Sequence, residues 1–230
     1  LPLTWNTYRV TIASRERIVG GIPIVPEGAD RADIYEKWAR GQGVEQDPDF
    51  EEPLHAALAV DPDMPVALAE EDVQGLETGF RHDAGGIYIE ARQLKALLRE
   101  AAQRLGLIKT KRGARQVIQH DLHVRALDGS QKLRLHDATT MEVLTAPTGK
   151  DRRPISVVTR QGPRTSIKRF DYVADAIILA ELRVLAGGVG DGILGEQELR
   201  AMLELGQELG LGADRSQGEG TFDVVEFDAH

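Results

Sequence analysis

Lys150, Arg152, Arg153, Arg160, Arg164, Lys168 and Arg169 crowd into one stretch in which Asp151 is the sole acid. Lys109, Lys111, Arg112 and Arg115 lie within seven residues with no acid among them, and Arg92, Lys95, Arg99 and Arg104 come just before. Cations gathered with so few counter-charges suit contact with the phosphates of a polyanion. A solvated face is the plainer reading of a charge run, but such faces ordinarily mix signs and these do not. A third feature is the run Gly206 to Gly220, with five glycines in fifteen residues and Arg215 and Ser216 near its centre. Free amides along such a loop can hold an anion. The competing reading is a tight helix-to-strand connection that needs several left-handed residues.

The histidines carry less. His120 and His123 fall three apart on an expected strand, so alternation sends them to opposite faces and away from a shared metal. His82 beside Asp83 and His136 beside Asp137 are candidate general bases only through the near-neutral pKa of imidazole. Neither GxxxxGK[ST] nor GxGxxG occurs, which disfavours a nucleotide-hydrolysing loop. Gly187 to Glu198 has Asp191, Gly192 and Glu198 in register with a calcium loop, yet Gly187 and Val189 stand where its first two oxygen ligands belong. It reads as a turn into a helix. No metal and no cofactor is implied.

Composition bounds the alternatives. The chain has 230 residues, no cysteine, 41% hydrophobic residues and only 5% aromatic ones. Absent cysteine removes disulfides, thiolate metal sites and a cysteine nucleophile. No apolar run approaches the roughly 18 residues of a membrane span, and the start of the chain lacks a basic-then-apolar leader, so the expected location is cytoplasmic. The formal charge of -9, from 28 basic and 37 acidic residues, argues at first against a polyanionic partner. Along the chain it separates. Glu27 to Asp83 carries 16 acidic and 4 basic residues, whereas Ala91 to Arg169 carries 18 basic and 6 acidic ones. The charge is segregated, and the total says little about any one face.

The elements that must position these groups follow from pattern. Tyr8 to Ala13 alternates as a half-buried strand, stopped by Gly20-Gly21. Ala32 to Arg40 reads as a short helix behind Asp30, and the acidic, proline-bearing text that follows reads as an insertion, the acidic lobe spanning about 27–83. Leu94, Leu97, Leu98, Ala101 and Leu105 stripe a helix from Glu90 to Leu105, with Gly106 as its stop. Gln116 to Leu127 and Gln131 to Leu135 flank Asp128-Gly129, a hairpin signal. Strands are expected at Thr140 to Thr145, Ile155 to Arg160 and Arg164 to Phe170. The last two form a basic hairpin insertion over about 146–172 with Gly162-Pro163 at its tip. Ala176 to Leu185 fits helix or strand by pattern, and the nearby Gly187-Gly188 favours a buried strand. A helix over Glu196 to Leu209 and a strand over Thr221 to Phe227 complete an α+β chain.

Ile87-Tyr88-Ile89-Glu90-Ala91-Arg92-Gln93-Leu94-Lys95-Ala96-Leu97-Leu98-Arg99-Glu100 resembles the first-helix signature of the RAMP (repeat-associated mysterious protein) superfamily, which supplies backbone subunits of CRISPR effector complexes. Gly210-Leu211-Gly212-Ala213-Asp214-Arg215-Ser216-Gln217-Gly218-Glu219-Gly220-Thr221-Phe222 resembles the glycine-rich loop near the end of those proteins. The chain departs from the pattern at Ala91 and Ala96, where glycine or serine is usual, and at Glu219, where an aromatic is usual. The resemblance implies one RAMP-like domain over 1–230: a ferredoxin-like, RNA-recognition-motif-like core, an antiparallel sheet backed by two helices, with insertions.

It further implies a non-enzymatic protein that binds the backbone of single-stranded nucleic acid, RNA before DNA, as a homo-oligomer or a subunit of a ribonucleoprotein complex and without a membrane. Expected phosphate contacts are Arg92, Lys95, Arg99, Lys109, Lys111, Arg112 and Arg115, then Arg164, Lys168 and Arg169. Arg215, Ser216, Gly210, Gly212, Gly218 and Gly220 would approach the backbone from the terminal loop. With so few aromatics, recognition would rest mainly on phosphate and shape. Two alternatives stand beside this. One is a metal-independent endoribonuclease using His82 or His136 as base with Tyr88 or a nearby lysine as helper. The other is a structural protein whose acidic lobe docks on the basic tract of the next copy.

Overall fold

The computed structural model describes residues 4–26, 66–67, 77–107, 118, 120–159, 162–186 and 194–230. In chain order the strands are β1 (Trp5–Ser14), β2 (Arg17–Val19), β3 (Ile22–Pro23), β4 (Val25–Pro26), β5 (Val66–Ala67), β6 (Glu77–Gly79), β7 (Arg81–Asp83) and β8 (Gly86–Glu90). Helix α1 (Ala91–Arg104) follows, then β9 (Leu122–Arg125), β10 (Lys132–Asp137), β11 (Gly149–Thr159), β12 (Gly162–Ala174) and β13 (Ala176–Leu185). Helix α2 (Glu196–Leu209), a 3-10 turn at Arg215–Gln217 and β14 (Phe222–Ala229) close the chain. Contacts divide it into two compact units. The first is Leu1–Val19, Gly86–Ala146 and Val173–His230; the second is Gly20–Gly85 and Pro147–Tyr172.

The first unit is an α+β layer pair. Its antiparallel sheet runs β14-β1-β13-β10-β8, with β9 also on β13. Alternation buries Tyr8, Val10 and Ile12 of β1, Ile178, Ala180, Leu182 and Val184 of β13, and Leu122 and Val124 of β9. The helices cover that face: Phe227 stacks on Tyr8 at 5.2 Å and receives Arg200 of α2 over its ring at 4.2 Å. Leu94, Leu97, Leu98 and Ala101 of α1 and Leu199, Met202 and Leu203 of α2 fill the layer between. Each buried Leu contributes roughly 1.5–3 kcal/mol by leaving water. The apolar stripes therefore locate the helices as their spacing requires, and Gly106 stops α1 at φ 69°.

Three expectations are corrected. The Asp128-Gly129 turn forms, with the Asp128 carboxylate accepting from the Ser130 amide at 2.8 Å and Gly129 at φ 84°, but it joins no hairpin. β9 and β10 both pair with β13: Arg125 opposes Glu181 and Leu135 opposes Ile178. The turn is an excursion extruded between two strands laid end to end on one edge, because β13 offers both a longer apolar register than either could offer the other. The segment from Gln116 is not all strand, since His120 and Asp121 are helical and β9 begins at Leu122, so His120 and His123 do not share a strand. Thr140 to Thr145 forms a single bridge, Val143 to His136, rather than a strand. Asp137 accepts from the Thr139 and Thr140 amides at 2.9 and 2.8 Å, and Met141 sits at φ 59°, so a side-chain-bonded turn takes the backbone that a strand would need.

In the second unit β11 and β12 pair antiparallel from Gly149↔Tyr172 to Thr159↔Gly162, and β12 then pairs with β6 and β6 with β3. This hairpin is longer at its base than the sequence reading of Ile155 to Arg160 and Arg164 to Phe170. The helix expected at Ala32 to Arg40 and most of the acidic lobe lie outside the described residues. Among the described residues no helix is long and apolar enough to cross a membrane.

Candidate nucleic-acid interface

The β11–β12 ribbon concentrates charge through its register. Arg152 faces Arg169 and Arg153 faces Lys168, so two successive cross-strand pairs are like-charged, one pair on each face. Directly opposed like charges destabilise a sheet pair by several tenths of a kcal/mol or more. Arg152 is exposed, and Arg153, Lys168 and Arg169 are half-buried, with the Arg153 guanidinium 4.8 Å from the centre of the Phe170 ring. Arg164 belongs to β12 opposite Val157. Arg152 and Arg153 join the expected Lys168 and Arg169 here; both stood in the basic tract, but only the register shows that they oppose cations. At the ribbon's base the signs mix: Lys150 donates to Glu77 at 2.8 Å and lies 4.0 Å from Asp171. Burial pushes the Asp171 carboxyl above the usual carboxylate range; Lys150 opposes this and the Glu77 charge reinforces it.

Helix α1 presents a quieter surface. Arg92 is held by Glu90 at 2.6 Å and Arg104 by Glu100 at 2.7 Å, while Arg99 is exposed. Lys95 is half-buried, and burial lowers its pKa. Lys109, Lys111, Arg112 and Arg115 lie outside the described residues.

The glycine-rich loop is docked along β2. The Ala213 amide donates to the Val19 carbonyl at 2.9 Å, the Gly220 amide to the Arg17 carbonyl at 3.0 Å, and the Leu211 amide to the Gly220 carbonyl at 2.8 Å. Gly220 sits at φ 77°, and a Cβ there would fall 1.9 Å from the Leu211 carbonyl oxygen; a Cβ on Gly212 would fall 2.7 Å from that of Val19. These glycines are required by backbone packed on backbone. Gly210 ends α2, its amide bonded to Gly206 at 3.0 Å, while Gly218 closes the 3-10 turn with open space beside it. Arg215 and Ser216 are exposed at the turn, and Arg215 reaches Glu100 at 3.1 Å.

Glu219, the residue out of pattern, turns inward. Its side chain is 10% exposed, and Arg17 grips both oxygens, Nε to Oε2 at 2.8 Å and Nη2 to Oε1 at 2.7 Å. The acid that a polyanion would avoid is thereby neutralised within the fold.

The other expected groups lie on separate strands, β7, β8 and β10. His82 is exposed on β7. Tyr88 is 4% exposed, with Lys132 and Arg134 over its ring at 4.9 and 5.1 Å. His136 has Nδ1 3.0 Å from the Met141 carbonyl. Glu198, aligned with the last ligand of a calcium loop, instead accepts from the Gly195 amide at 3.0 Å at the start of α2. Among the described residues no group of three or more His, Asp or Glu could hold a metal ion.

No protein-family model matches the chain, and no curated protein does. Among solved structures, a chain from the cryo-EM structure of the Type III-B Cmr-beta complex bound to cognate target RNA is similar at 13% identity and a TM-score of 0.45. The likeness covers 98% of this chain and 60% of that one, so this chain spans three-fifths of its length.

Proposed function

We propose that this protein is a RAMP-like, non-enzymatic binder of single-stranded nucleic acid, RNA before DNA, that grips the phosphate backbone and serves as a subunit of a ribonucleoprotein assembly. The observation that carries this reading is the β11–β12 ribbon, whose register sets Arg152 opposite Arg169 and Arg153 opposite Lys168 and so concentrates four cations where a phosphate backbone would be favoured. The ferredoxin-like part of the reading rests on the order β14-β1-β13-β9, with α1 between β1 and β9 and α2 between β13 and β14. On this reading the chain is one such domain carrying two insertions, an acidic one and the basic ribbon.

The test is a fluorescence-anisotropy titration of a labelled single-stranded RNA at increasing salt. Binding at low salt that weakens steeply as salt rises is the expected result. No affinity for any single strand at low salt would refute the proposal.

A further inference from the structure

The face of the first unit's sheet that the helices leave uncovered carries a row that no sequence motif announces. Trp5 of β1, Arg183 of β13 and His123 of β9 lie on three adjacent strands: Arg183 opposes Thr7 on one side and His123 on the other, and Trp5 is two residues from Thr7 on the same face. The Trp5 and His123 rings meet edge to face, centroids 4.8 Å apart at 71°, and the Arg183 guanidinium lies 5.4 Å from the Trp5 ring centre. His123 is exposed, and Trp5 and Arg183 are partly so.

The charges around the row favour an anionic partner. Arg9, exposed, and Arg125 flank Glu181 across the strands, and Arg125 takes up that acid at 2.7 Å. Further toward the β10 edge the same face carries Lys132 and Arg134, with Glu90 opposite Lys132, and at the β14 edge Glu226 and Asp228 oppose Thr11 and Arg9. Burial, then the charges of Lys95, Arg183 and Arg125, lowers the pKa of His123. These causes favour the neutral ring, which offers a π face rather than a charge.

We propose that Trp5, His123 and Arg183 form a base-stacking site on the open sheet face, taking an unpaired base of a single-stranded nucleic acid whose flanking phosphates meet the surrounding arginines. Aromatic and guanidinium planes accept any base by its π face, which adds sequence-tolerant affinity to backbone contacts. The proposal rests on the nucleic-acid reading above and gives it a second, base-dependent component.

The chain has two tryptophans, so Trp38→Phe leaves Trp5 as the only indole reporter. The full chain with this change is titrated with a labelled twelve-nucleotide RNA and with an abasic strand of equal length, reading anisotropy and Trp5 emission together. Expected are Trp5 quenching that saturates with the anisotropy, and about tenfold tighter binding of RNA than of the abasic strand. His123→Ala, an exposed change, should remove that preference, and Trp5→Leu should do the same. Binding by anisotropy with unchanged Trp5 emission and equal affinity for both strands would overturn the stacking site while leaving backbone binding intact. No anisotropy change with either strand would overturn both.

Discussion

The terminal glycine loop and the β11–β12 ribbon both read as phosphate-binding elements in the sequence, and the folded chain treats them differently. The loop's glycines pack backbone against backbone along β2, its buried acid is closed by Arg17, and its arginine already reaches Glu100. In the ribbon, cations are set opposite cations. A glycine-rich text thus served the fold first, because amides that bond inward cannot also cradle an anion. The basic text gathers its charges on paired strands by register, an arrangement that suits contact with a polyanion.

The sharpest break of this contrast is charge removal in the ribbon. Replacing Arg152, Arg153, Lys168 and Arg169 together by Ala should weaken RNA binding by about 10²–10³-fold at moderate salt and flatten the salt slope by about 3, each lost phosphate contact removing ~0.7. Arg153 also loses its place over the Phe170 ring, so a small fall in melting temperature is expected; unchanged affinity of the folded protein would reverse the assignment. In the loop the effect should appear in stability instead. Glu219→Ala removes the carboxylate that the Arg17 guanidinium, 26% exposed, grips with two nitrogens and should cost about 2–3 kcal/mol in denaturant unfolding, with RNA affinity of the folded fraction unchanged.

A smaller effect is expected at the ribbon's base. Burial raises the Asp171 carboxyl above its ordinary value, so its own contribution to stability is full at low pH and is lost as pH rises from the ordinary carboxylate range through the raised value. Asp171→Asn should flatten that slope and raise the melting temperature by a few degrees at neutral pH, as thermal scans across pH would register. The smallest effect is at the loop tip. Arg215→Ala removes an exposed ion pair with Glu100 and should change stability by under ~0.5 kcal/mol and RNA affinity by no more than about twofold. A tenfold loss of affinity would move the loop from scaffold to interface.

Local chemistry determined much of this protein. Apolar spacing at Leu94, Leu97, Leu98 and Ala101 and at Leu199, Met202 and Leu203 set both helices, alternation in Tyr8 to Ala13 set the central strand, and Gly106 and Gly210 set the helix ends, since each signal depends only on neighbours a turn or two away. The segregation of charge into the ribbon was also plain in the linear text. Tertiary structure decided what depends on register between distant segments. Asp128-Gly129 turned as its type requires, yet β13 claimed the strands on either side of it. Glu219 found Arg17, 202 residues away along the chain. Arg152 met Arg169, and Trp5, His123 and Arg183 came into one row from three strands. Pairing partners are selected by the burial of whole faces, and no window of sequence contains both sides of that choice.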